Sequence, residues 1–246
     1  MTGLAWAGVG AGAVAASYVG ARTLWYAIQN PRCSWFVSSV TRGTSTRPSL
    51  ALTFDDGPSE STPEILAVLD RHRVRATFFQ VGANVERLPE VAREVAAASH
   101  EVGNHTHSHA RLCFKSRRFI YSELATAQRI IEETIDQPVR FFRPPFGLRW
   151  FSLDRVQRQL GLTSVLWTTV GYDWKAGESE IIARVAAGVT NGAIILLHDG
   201  RRLHTTPDVS ATIGALDRLI PQLQDRGFHF ETLSQIIEAS PCPKLP

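Results

Sequence analysis

Asp55 and Asp56 stand side by side at the end of the apolar run Leu52-Thr53-Phe54, and Gly57-Pro58 closes that run. A strand that ends in two carboxylates is an electrostatic oddity. Adjacent like charges repel, and a buried carboxylate needs an opposite charge, a hydrogen-bond donor or a metal. Taken alone, the run also fits a solvated Asp-Asp-Gly turn, so the partners decide. His105, His107 and His109 fall within one short stretch, and His198 follows the apolar run 193–197. His105 and His109 are four apart, so on one turn of helix their imidazoles would face the same way. His107 would then face away, toward the rim. Two histidines and a carboxylate, with a position left for water, make the donor set of a catalytic zinc-type site. A histidine-rich turn alone is equally well explained as a polar loop or a packed pair. With an aspartate pair and a strand-end histidine beside it, the metal reading is the better one.

These residues need a scaffold to bring them together. Apolar periodicity predicts strands over 49–54, 75–81, 101–104, 139–142, 164–168, 193–197 and 228–231. It predicts helices from about residue 62, with Pro63 in the first turn, and over 89–98, 119–135, 153–160, 178–189, 209–224 and 233–237. Strands alternate with helices and composition does not break, which is the pattern of one parallel α/β domain, a barrel or a doubly wound sheet. The polar clusters Asp55-Asp56, 104–109, 143–147, Asp173-Trp174 and His198-Asp199 each lie past the carboxyl end of a predicted strand. Parallel barrels build their active sites there.

Composition narrows the class. The chain has 246 residues, 44% hydrophobic and 20% charged, enough for a sizeable core and unlike a disordered chain. A net charge of +3 with no Lys/Arg block excludes a nucleic-acid binder, and no obligate protein partner is implied. Cys33, Cys113 and Cys242 are odd in number and widely spaced, so they form neither a disulfide framework nor a Cys-x-x-Cys zinc pattern. Residues 3–21 carry no charge, and a bilayer span needs about 20 mostly apolar residues. Residues 1–30 are therefore expected to be a membrane anchor or signal-like segment. An anchor is favoured, because no basic residue precedes the apolar stretch. Residues 31–46 read as a linker, 47–238 as the catalytic domain and 239–246 as a tail. Arg22, Arg32, Arg42 and Arg47 follow the span, which would place the domain on the cytoplasmic side of a bacterial inner membrane. Substrate analogy would place it outside.

The segments Thr53-Phe54-Asp55-Asp56-Gly57-Pro58, His105-Thr106-His107-Ser108-His109, Arg143-Pro144-Pro145-Phe146, Asp173-Trp174 and Leu196-Leu197-His198-Asp199 occur in this order. Together, over about 47–237, they resemble the polysaccharide deacetylase family, also called the NodB homology domain or carbohydrate esterase family 4. The resemblance implies an α/β fold, a distorted (β/α) barrel of the NodB type, here preceded by the N-terminal hydrophobic helix. It also implies one divalent metal, usually Zn2+, with Co2+ or Ni2+ able to serve. By motif position Asp56, His105 and His109 would hold the metal, Asp55 would be the general base and His198 the general acid. Arg143 would orient Asp55, Asp173 would hold charge on His198, and the Phe146 N–H would stabilise the oxyanion. Pro145, Phe146, Trp174 and Leu197 would contact substrate, Leu197 as the pocket floor.

Simpler readings exist for the supporting residues: a loop salt bridge for Arg143, a helix N-cap for Asp173, a plain turn for Asp199-Gly200. Two positions depart from the family pattern. Val170 stands where many members carry an Asp, and His107 stands where an aromatic is common, which affects substrate contacts. The expected activity is removal of N-acetyl groups from an N-acetylated amino-sugar glycan, peptidoglycan or a chitin-like oligosaccharide. Deacylation of a lipid-linked sugar, O-acetyl esterase action and an inactive glycan-binding module are the alternatives.

Overall fold

The computed structural model describes residues 17–238. Its strands are β1 (Ser49–Asp55), β2 (Thr77–Gln80), β3 (Glu101–Asn104), β4 (Phe141–Phe142), β5 (Thr163–Ser164), β6 (Thr169–Val170), β7 (Ala193–His198) and β8 (His229–Phe230). All pair in parallel, in the order β5-β4-β3-β2-β1-β7-β6, with β8 on the start of β1. This is the circular order of a barrel, opened between β5 and β6. The helices are α1 over 17–29, α2 (Thr62–Arg71), α3 (Gly82–Arg87), α4 (Pro89–Ala97), α5 (Arg117–Ile135), α6 (Leu153–Gln159), α7 (Glu178–Gly188), α8 (Ser210–Asp225) and α9 (Leu233–Glu238).

Every residue of β1 is buried, as a parallel strand covered on both faces requires. Its period of two sorts the side chains by role. Leu50, Leu52 and Phe54 join the helix-facing core with Phe78, Ile195 and Leu197. Each buried aliphatic or aromatic side chain of this kind contributes about 1.5–3 kcal/mol relative to exposure. Ala51 belongs to a second cluster with Phe79, Phe141, Ile194 and the α9 residues Leu233 and Ile236. That cluster plugs the lower end of the curled sheet. Asp55 lies on the same face as Ala51 and Thr53, at the upper end.

Three expectations change. Of the strand predicted over 164–168 only Ser164 lies in a strand, at the end of β5, and the chain then runs to β6, on the opposite free edge of the sheet. The chain between them crosses the opening, and Thr168 is tied there through its Oγ1, which donates to the Thr41 carbonyl at 2.7 Å. The segment 31–46, expected as a linker, lies on the domain. Val40 pairs in parallel with Val165 and Arg42 antiparallel with Ala193, while Phe36 and Val37 are buried. Strand edges leave unpaired N–H and C=O groups, and this segment satisfies some of them at the opening.

The third change concerns the predicted anchor. Its residues 1–16 lie outside the described residues. Among the described residues, no helix is long and apolar enough to cross a membrane. Instead Ala27 and Ile28, in the last turn of α1, are buried against Phe36, Cys113 and Leu148. Arg149 fixes this contact. Its guanidinium donates to the carbonyls of Ala27, Asn30, Pro31 and Cys33, and its N–H donates to Ile28. A cation at a helix C-terminus also complements the helix dipole.

Candidate metal centre and active site

Asp56 sits just past β1 with φ of 76°, a left-handed backbone that a β-carbon makes costly and that the surroundings must hold. They hold it three ways. The Asn84 side-chain amide donates to the Asp56 carbonyl at 2.8 Å, the Arg202 N–H donates to Asp56 Oδ2 at 2.8 Å, and the loop 199–200 presses against it. A β-carbon at Gly57 would overlap the Asp199 carboxyl, and one at Gly200 would overlap the Asp56 carbonyl, so only glycine lets these loops interlock.

The other oxygen, Asp56 Oδ1, is buried and without a hydrogen bond. It lies 2.9 Å from His109 Nε2 and 3.4 Å from His105 Nε2. The potential ligand atoms of Asp56, His105 and His109 all lie within 4.8 Å of one another. His105 Nδ1 donates to the Arg143 carbonyl at 2.8 Å, which fixes the tautomer and turns the Nε2 lone pair inward. Burial keeps His109 below the usual imidazole range against the pull of Asp56, so it is neutral, as a ligand must be. Burial opposes ionisation of Asp56 as well. The imidazoles of His105 and His109 and the charge of His198 outweigh it and hold Asp56 well below the usual carboxylate range. A buried, ionised carboxylate facing two imidazole nitrogens fits a divalent cation.

The two histidines do not share a helical turn. After β3 the chain is an irregular loop in which Thr106 (φ 66°) and His109 (φ 54°) are both left-handed. Asn104 Oδ1 accepts the Thr106 N–H at 2.8 Å and shapes the turn. His107 packs beside Gly82, away from the ligand set.

Asp55 is bound by Arg143 Nη1 at 2.7 Å. Arg143 is fully buried and also donates to Thr53 Oγ1, the Val165 carbonyl and the Leu166 carbonyl, with its guanidinium 4.1 Å from the Phe79 ring centroid. A cation so completely enclosed serves to place one carboxylate. Asp55 Oδ2 lies 3.7 Å from His105 Nε2, next to the ligand set.

His198, at the end of β7, lies opposite Asp55 in the ladder. Asp173 Oδ1 is 2.9 Å from His198 Nδ1, and Asp173 Oδ2 accepts the His198 N–H and the Thr212 hydroxyl. Burial pushes His198 down, but the charge and hydrogen bond of Asp173 prevail and raise it to about 9, with help from Asp56 and Asp55. Asp173 moves the other way: burial raises it, and His198 lowers it to a net value below the usual range. His198 is therefore an imidazolium at neutral pH, its Nδ1–H committed and its Nε2–H available. Neighbouring Asp199 is fully enclosed, and burial raises it to about 7 although Thr62 donates to it.

These groups line one cleft of about 510 Å³. Asp55, Asp56, His105, His109 and His198 line it with Phe146 and Trp174, while Arg143 and Asp173 stand behind Asp55 and His198. Phe146 has φ of 60° and Trp174 stacks edge-on to His198. Pro145 is buried and does not line the cleft. Leu197 is a correction. It belongs to the helix-facing core, and Leu196 lines the cleft instead, because adjacent strand residues face opposite ways. Trp167, Arg201, Arg202 and His204 also line the cleft without having been predicted. Trp167 looked like strand interior, and the Arg201-Arg202 pair after His198-Asp199-Gly200 was the available signal for the rest.

Residues 42–165 match the family model described as polysaccharide deacetylase. A chitooligosaccharide deacetylase of Sinorhizobium fredii is 39% identical over 81% of this chain and 97% of its own length. The chain belongs to the polysaccharide deacetylase family. Among solved structures of carbohydrate esterase family 4 type, a peptidoglycan N-acetylglucosamine deacetylase superposes with a TM-score of 0.77 at 31% identity, over 82% of this chain and 94% of that one. A family pseudoenzyme from Bacillus anthracis superposes with a TM-score of 0.74 at 29% identity, over 81% of this chain and 68% of that one. In the polysaccharide deacetylase family the fold alone therefore does not guarantee turnover. The groups in the cleft carry the functional argument.

Proposed function

We propose that this chain removes N-acetyl groups from an N-acetylated amino-sugar glycan, a chitin-like oligosaccharide or peptidoglycan. One observation carries the reading: the ligand set Asp56, His105 and His109 shares a cleft with two separately supported catalytic pairs, Asp55–Arg143 and His198–Asp173. The names of the relatives, a chitooligosaccharide deacetylase and a peptidoglycan deacetylase, support the substrate class.

Asp56, His105 and His109 would hold one divalent ion, with zinc the best match to a mixed nitrogen and oxygen set. When bound, such an ion acidifies a water and polarises the amide carbonyl. Asp55, held by Arg143, takes the proton as the water oxygen attacks the acetyl carbon. Charge that builds on the carbonyl oxygen is met by the Phe146 N–H. His198 then delivers its Nε2 proton to the amide nitrogen as the C–N bond breaks, and Asp173 keeps it charged until that step. Acetate and a free amino sugar leave. Trp174 presents an aromatic face to the ring, and Phe146 lines the cleft beside it.

We place the catalytic unit at 47–238 and add 31–46 to it as the segment lying along the open edge. The test is acetate release from a panel of N-acetylated oligosaccharides and peptidoglycan fragments by the zinc-loaded protein. Release at enzymatic rates from at least one is expected. No release from any, with the ion bound, would favour the glycan-binding reading.

A further inference from the structure

Inside the cleft the catalytic charges have counterparts: Asp55 has Arg143, Asp173 has His198, and Asp56 faces two imidazoles, while Arg201, which also lines it, donates to the Gly200 and Asp173 carbonyls. The mouth is different. The guanidinium carbons of Arg111 and Arg202 each lie 5.0 Å from the centroid of the Phe146 ring, itself 40% exposed. Both arginines are exposed, and neither has a carboxylate partner among the described residues. Asp208, further along the same loop, is occupied by the N–H and hydroxyl of Ser210, and Asp199, before it, is fully buried and bound by Thr62. We propose that Arg111 and Arg202 form a subsite for an anionic substituent, a phosphate or a carboxylate, carried by the substrate glycan beside the acetamide that is cleaved.

The proposal rests on the deacetylase reading and adds the charge of the substrate to it. A guanidinium stacked on an aromatic face is pre-organised, and its N–H edge stays open for bidentate contact with a planar or tetrahedral oxyanion. A charge-assisted bond from either edge to an oxyanion is stronger than one to the neutral hydroxyl of an uncharged sugar. Placement is controlled too. The N–H of Arg202 holds Asp56 Oδ2, and its own φ is 55°, so its position is tied to the ligand set. Phe146 is edge-on to His109, with ring centroids 4.9 Å apart. The anion-reading groups thus flank a ring in direct contact with a ligand residue.

The experiment compares kcat/KM of the zinc-loaded protein on three substrates. One is a neutral N-acetylglucosamine oligosaccharide, the second an oligosaccharide with a lactyl carboxylate on alternate sugars, and the third an N-acetylamino sugar joined to a polyprenyl chain through diphosphate. At least one anionic substrate should exceed the neutral one by on the order of tenfold at low salt, with the advantage shrinking as salt rises. The carboxylate and diphosphate arms show which source the subsite takes. Arg111→Gln with Arg202→Gln should remove most of that ratio, and Arg202→Lys should retain part of it, which a purely structural role would not do. A wild-type ratio at or below one, or a ratio indifferent to the double variant, overturns the proposal. Equilibrium binding of the neutral and anionic saccharides to the same proteins reads the preference without turnover. Anion-selective binding with no acetate release would keep the subsite and reject the deacetylase reading, and binding indifferent to charge would reject the subsite.

Discussion

At the scale of single residues, the adjacent aspartates are separated by what surrounds each. Asp55 faces inward on β1 and is held by a buried arginine, while Asp56 begins the next loop in a left-handed conformation with one oxygen bare toward two imidazoles. Replacing His105 or His109 by Ala should lower bound zinc well below one per chain in elemental analysis. Unchanged stoichiometry would reject the ligand set. The second prediction concerns charge on His198. Its value is raised to about 9, chiefly against burial by Asp173, so the imidazolium persists through neutral pH and is lost as pH rises through about 9. The stability this pair contributes is therefore complete below the unfolded imidazole range and fades as pH rises through about 9. A bound dication acts against the imidazolium, so the loaded protein should lose it at lower pH than the ion-free one. Asp173→Asn should shift the His198 titration downward in NMR of the ion-free protein, and should move the alkaline limb of kcat the same way. No shift in either would remove Asp173 from this role. Asp55, Asp56, His105, His109, His198, Arg143 and Asp173 were legible as residue types at strand ends. The inward face was not, because Leu196 and Leu197 are both apolar and one residue of phase decides which lines the cleft.

At the scale of elements, short loops rather than strands do the fine positioning. The ligand loop after β3 was expected as a helical turn because spacing of four suits one, yet two left-handed residues bring the imidazoles together instead. Spacing cannot distinguish these when a tertiary context pays for the strain. The stretch 164–168 is apolar and β-branched enough to read as one strand, but past Ser164 it crosses the opening of the sheet from β5 toward β6. The 31–46 segment is polar and looks like a linker, and its edge contacts combine backbone bonds from Val40 and Gly43 with side-chain bonds at Ser39 and Arg42, a long-range pairing that composition does not reveal. Arg149 provides the test at this scale. It lies three residues after Phe146 and binds carbonyls after and within the last turn of α1. Arg149→Ala should cost about 1.5–3 kcal/mol from charged hydrogen bonds alone. It should lower the thermal midpoint by about 3–12 °C. A midpoint equal to wild type would show that α1 does not brace the 144–149 loop.

At the scale of the molecule, the parallel sheet carries all reactive groups to its carboxyl end and leaves the opposite end to the Ala51–Leu233–Ile236 plug. That polarity was visible in the sequence, since every polar cluster followed a predicted strand. The opening between β5 and β6 was not, because it depends on which edges pair over long separations. The central claim is that one aspartate belongs to the metal and its neighbour to the proton. It is tested most directly by measuring zinc content and acetate release on the same preparation of Asp55→Asn. The account predicts about one zinc per chain, as in wild type, with acetate release down by roughly 10²–10⁴-fold. Activity within a few-fold of wild type, or loss of the zinc with the carboxylate, would contradict it.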